Sequence, residues 1–133
     1  MPWLIGVLLA LTVGAFGTWV GMDRERSFYP VIMIVIAALY ALFALVGQST
    51  QALARDALLG AVFILAATLG FKRSLWWAVA ALAAHGLMDL VHGALVANPG
   101  VPTWWPPFCA AYDVVAAGYL AGLLLSGRLQ AGA

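Results

Sequence analysis

Both histidines of this chain, His85 and His92, lie with Asp89 inside one apolar stretch, Trp76–Val96 (WWAVAALAAHGLMDLVHGALV). They fall at i, i+4 and i+7. On a helix turning about 100° per residue, the three project within an arc of roughly 60°. Imidazole and carboxylate groups stacked on one stripe can ligate a transition metal or form a proton-passing network. An ionisable residue in a lipid-embedded segment costs roughly 2.5–3.5 kcal/mol per charge on insertion scales, so it marks a functional site by default.

A further apolar stretch carries Asp113, with Cys109 one turn before it and Tyr112 beside it. Counting inward from Phe108 puts Asp113 level with His92. The expectation is a single site of His85, Asp89, His92 and Asp113 near the outer leaflet and open to the outside. Two imidazoles and two carboxylates suit Zn²⁺ or Fe²⁺, with one position left for water or substrate. The chemistry that follows is metal-assisted hydrolysis of a lipid-like substrate, with whichever of Asp89 and Asp113 is unliganded as general base. The alternatives are a non-catalytic metal or small-ligand binding or transport protein, and a metal-free relay. In that relay each His donates to Asp89, and Tyr112 bonds Asp113. Haem fits poorly, because histidines on one helix face cannot flank one iron. The spacing HxxxDxxH also differs from the HExxH of zincins, whose histidines sit four apart. Cys109 reads as a packed small side chain rather than a ligand. Tyr40 reads as core, with a hydrogen bond into the site as the alternative.

The elements that must position these residues follow from composition. The chain is 65% hydrophobic and 8% charged with a mean hydropathy of +1.03, more apolar surface than a water-soluble fold of this size can hide. Five apolar segments approach the roughly 20 residues that cross a bilayer: Trp3–Gly21, Pro30–Gly47, Leu53–Phe71, Leu75–Val96 and Phe108–Leu125. Their short connections predict an all-α polytopic membrane protein, one domain over residues 1–133, built as an up-down bundle of five transmembrane helices. Arg24, Arg26, Lys72, Arg73 and Arg128 fall at one end of such a bundle, and Arg55 alone at the other. The positive-inside rule then puts the N-terminus outside and the C-terminus in the cytoplasm of a bacterial inner (plasma) membrane. Trp3, Trp104 and Trp105 mark the outer boundary, and Trp19, Trp76 and Trp77 the inner one. A net charge of +1 without a basic cluster argues against nucleic acid, and the lone Cys109 excludes an intrachain disulfide.

Small residues form a stripe along the first segment (Gly6, Ala10, Gly14, Gly17, Gly21) and a GxxxG at Gly118 and Gly122 in the fifth. They predict close helix packing inside the bundle, with a homodimer seam as the alternative. Membrane lipid, and a lipophilic small molecule, are the expected partners. The proline-rich loop ANPGVPTWWPP reads as a fixed lid over the site or as an interfacial anchor. Asp23 and Glu25 read as a solvated charge patch, Asp56 as a residue of the first turn of the third helix, and the tail after Leu125 as frayed.

The run from His85 to Asp113, HxxxDxxH followed by PxWWPPFCxxYD, resembles a pattern in small bacterial membrane proteins without assigned activity. In residue chemistry, over two helices, the chain is similar to membrane zinc hydrolases of the alkaline ceramidase and adiponectin-receptor kind. That resemblance implies a metal-dependent hydrolase, although those proteins have more spans and distribute their ligands differently. The span count and the Trp-rich loop also resemble the tryptophan-rich sensory proteins, whose motifs are not found here.

Overall fold

The computed structural model describes residues 1–132. It contains α1 (Pro2–Val20), a 3₁₀ turn (Met22–Arg24), α2 (Phe28–Val46), α3 (Thr50–Lys72), α4 (Trp76–Leu95) and α5 (Trp105–Leu125). All five helices are long and apolar enough to cross a membrane. Local signals set their ends. Pro2 and Pro106 occupy first-turn positions, where a missing N–H leaves no bond unmade. Gly21 closes α1 in the left-handed region at φ 83°. The Ser49 side chain caps α3 by accepting from the Ala52 N–H at 3.1 Å. Two helices begin three residues earlier than their hydropathy suggests: α3 at Thr50, and α5 at Trp105.

Neighbours in sequence pack antiparallel from α2 through α5, and α1 completes the bundle by lying parallel to α5. Gly6 faces Phe108 and Ala111, and Gly14 faces the ring of Tyr119. A methyl group at Gly6 would collide with the Phe108 carbonyl oxygen, so this approach requires glycine. The stripe on α1 is therefore used within the bundle. Gly118 and Gly122 instead face outward with nothing within 4 Å.

The outer surface is apolar, with Leu58, Val62 and Leu65 of α3 and Leu87, Leu90 and Val91 of α4 all exposed. The interior holds the polar groups: Asp23, Asp56, His85, Asp89, His92 and Asp113 are all buried. Two acids thus depart from expectation. Asp56 is the seventh residue of α3 and buried, not a solvated first-turn residue. Asp23 is enclosed and accepts from the Thr18 hydroxyl at 2.6 Å, while Thr18 Oγ1 and the Tyr119 hydroxyl lie 2.9 Å apart.

The tail is tied down rather than frayed. Leu129 is buried, the Leu75 N–H donates to the Ala131 carbonyl at 2.9 Å, and Arg26 donates to carbonyls of Gly70, Phe71 and Gly132. Arg26 satisfies the carbonyl end of α3 and anchors the tail with one planar group.

The two glycine surfaces should respond differently to one added methyl. Gly6→Ala should lower stability by about 1–3 kcal/mol through overpacking, whereas Gly118→Ala should stay within about 0.5 kcal/mol. Thermal unfolding of both variants in the same detergent checks the contrast, and equal losses would contradict the α1–α5 packing.

Candidate metal centre

His85 and Asp89 project from α4, and Cys109 and Asp113 from α5. Gly86 lets these helices approach: a Cβ there would lie 3.1 Å from both the Ala110 carbonyl oxygen and the Asp113 Cβ. His85 Nδ1 lies 2.7 Å from Asp113 Oδ2 and 3.6 Å from Asp89 Oδ2. Cys109 Sγ is 3.8 Å from Asp113 Oδ2. One ligand-type atom from each of the four falls within 4.8 Å of every other, and all four side chains are buried. Phe63 of α3 closes one side, edge-on to the His85 ring at 4.8 Å.

His92 stands elsewhere. Its Nε2 is 2.7 Å from Asp56 Oδ1, across the α3–α4 contact. The Asn98 amide donates to Asp56 Oδ2 at 2.7 Å and to the Tyr40 carbonyl at 2.9 Å, which fastens the α4–α5 loop onto the end of the bundle. Of the four residues expected to form one site, three are brought together, and Cys109 occupies the place given to His92.

The reason is register. His85 is ten residues from the last residue of α4 and Asp113 eight from the first of α5, so the two are level. Starting α5 at Trp105 rather than Phe108 carries Asp113 three residues, roughly 4.5 Å, deeper, away from His92 and toward His85. Nor is the group open to the outside: His85, Asp89, His92 and Asp113 are each no more than 2% exposed.

Tyr40 joins the two centres. Its hydroxyl donates to Asp89 Oδ1 at 2.7 Å, and its ring stacks on His92 with centroids 3.7 Å apart and planes 14° apart. Sequence had favoured Tyr40 as plain core. Asp113 is contacted by His85 and Cys109, not by Tyr112.

These residues fit a dication on three observations. Two carboxylates beside one imidazole and one thiol leave an excess of negative charge that an apolar interior neutralises with protons or a cation. Among the described residues, Asp89 Oδ2 and Asp113 Oδ1 have no hydrogen-bond partner although both are buried. Buried acceptors are nearly always satisfied, so two orphans in one group point to something they should hold. Finally, a mixed nitrogen, oxygen and sulfur set suits Zn²⁺ or Fe²⁺ rather than Ca²⁺ or Mg²⁺, which prefer oxygen shells.

Comparison with protein-family models, with curated proteins and with solved structures finds no match to this chain. The geometry of the two centres therefore carries the functional argument by itself.

Asp56 serves two donors, so its loss strands both. Hydrogen bonds between spans average about 0.6 kcal/mol and reach about 1.7, which puts the cost of Asp56→Ala at roughly 1–3 kcal/mol. Asn98→Ala, which removes one donor and leaves His92 paired, should cost less. Thermal unfolding in detergent ranks the two, and the reverse order would contradict the shared acceptor.

Proposed function

We propose that this is an integral membrane protein that binds one transition-metal dication, zinc or iron, through His85, Asp89, Cys109 and Asp113. The observation that carries the reading is the pair of unpartnered, buried carboxylate oxygens beside His85 and Cys109. A dication there would supply Lewis acidity within an apolar surround. Hydrolysis of a lipid-like substrate is the catalytic use this reading favours. In it Asp89, fixed through Oδ1 by Tyr40, would leave the ligand set, which opens a coordination position and frees Oδ2 to take up a proton. His92 and Asp56 stay outside the ligand set and hold the loop that carries Asn98 over the bundle end.

A second reading, a metal-free hydrogen-bonded network, rests on one distance. His85 Nδ1 and Asp113 Oδ2 are 2.7 Å apart, the spacing of a hydrogen bond. Two ligands on one tetrahedral ion sit on the order of 3.4 Å apart, given metal bonds of about 2.1 Å. Metal binding would require Asp113 to turn its free Oδ1 toward the ion.

Elemental analysis separates the two. Protein purified without chelator should carry about one equivalent of zinc or iron, and His85→Ala should lose most of it. His92→Ala should keep it, because His92 is bound to Asp56. Saturating metal should stabilise the stripped protein by about 2.7 kcal/mol at a hundred times Kd. Less than about a tenth of an equivalent, with no stabilisation on adding metal, establishes the network instead.

The Lys/Arg asymmetry supports an N-terminus outside and a C-terminus in the cytoplasm of a bacterial inner membrane. Reporter domains fused after Gly127 should be active only when they require the cytoplasm, and a reporter active only outside would reverse the orientation.

A further inference from the structure

α1 leans on α5 and α2 on α3, which leaves a gap between α1 and α2. The gap is a cleft of about 180 Å³ walled by Leu9 and Val13 of α1, Ile36 of α2, and Trp105, Phe108, Cys109 and Tyr112 of α5. No charged side chain lines it. Leu9 stands at its mouth, 42% exposed, and Cys109 at its floor, 2% exposed. On its other side Cys109 faces Asp113 at 3.8 Å. One side chain thus belongs both to an apolar opening on the flank of the bundle and to the buried polar group.

We infer that this cleft is a lateral binding site for the acyl chain of a membrane lipid, laid alongside Cys109. The inference rests on the proposed membrane insertion, and it gives the metal centre its substrate class: a lipid that arrives sideways from the hydrocarbon. Size and chemistry choose the occupant. A helix about 10–12 Å across cannot enter. An apolar cavity of about 150 Å³ takes up benzene, so this cleft accommodates a short run of methylenes. Water is a poor occupant, because an ordered water needs roughly two to four polar partners and these walls are almost wholly apolar. The polar residues around His85 are sealed on every face described above, which leaves the Cys109 side as the approach from lipid.

Cys109 is the chain's single cysteine, so its modification reads the cleft directly. Chelator-treated protein in micelles would be reacted with neutral methyl methanethiosulfonate and with its trimethylammonium-ethyl analogue, and followed by mass spectrometry. The neutral reagent should modify Cys109 at least about tenfold faster than the cationic one, since a lipid-facing apolar path excludes the charge. Val13→Trp should slow the neutral reagent about tenfold, and Leu58→Trp, on the outer face of α3, should leave the rate unchanged. Oleic acid added to the micelles should protect Cys109 as Val13→Trp does. Should Val13→Trp fail to fold, Leu9→Trp fills the same mouth.

Resistance of Cys109 to the neutral reagent, or labelling at an undiminished rate in the folded tryptophan variant, overturns the lateral route. Labelling that oleic acid does not slow overturns the lipid chain as occupant. All labelling is done on metal-free protein, so these outcomes stand apart from the metal analysis. A protein that binds metal but gives no protection would keep the metal reading and lose this one.

Discussion

Four carboxylates are enclosed in a bundle whose outside is apolar, and the structure is arranged around neutralising them from within. Asp23 takes a hydroxyl from Thr18, Asp56 is set against an imidazole and an amide, Asp89 takes a phenol, and Asp113 lies against the second imidazole. An apolar surround offers no alternative partner, so each carboxylate dictates what its neighbouring helix must present at that level. Asp56 and His92 fix α3 against α4, Asp89 and Tyr40 fix α4 against α2, and Asp113 and His85 fix α5 against α4. Aliphatic packing supplies the mass of the core, but the polar pairs set its register.

Satisfaction is uneven among them. Asp56 has both oxygens engaged, one by His92 and one by Asn98, which is what a purely structural pair requires. Asp89 and Asp113 each keep one oxygen unused. A structure able to saturate one carboxylate completely, yet leaving its two neighbours half-served, separates a fastening from a receptacle. Tyr40 touches both and makes the outer fastening part of the wall of the inner group.

How much of this could be read beforehand depended on range. Length and hydropathy were enough for five helices, because spanning is a property of each segment alone. The His85, Asp89 and Asp113 association was also legible, from ionisable groups where none is tolerated idly. Register was not, since it turned on whether α5 starts at Trp105 or Phe108, and hydropathy does not mark that boundary. Cys109 is buried, as a packed small residue would be, and nothing local foretold that it would stand beside His85 and Asp113. Asp56 was misplaced because Arg55 beside it suggested a wet helix end. The signal lay in its spacing: Ala52, Asp56 and Gly60 repeat every four residues and form the small-residue face that α3 buries. Asn98 had no local signal, as its partners come from α2 and α3.

The pairing of the first helix with the last bears on how the chain is made. A ribosome delivers α1 long before α5, so the glycine face of α1 waits without its partner while three helices emerge. The α2–α3 and α3–α4 hairpins can settle as they appear, but closure of the bundle is postponed until α5 has emerged. Tethering by Arg26 falls later still, since its carbonyl partner at Gly132 follows α5. Quality control that inspects exposed small-residue faces would therefore see this bundle as unfinished until α5 is in place.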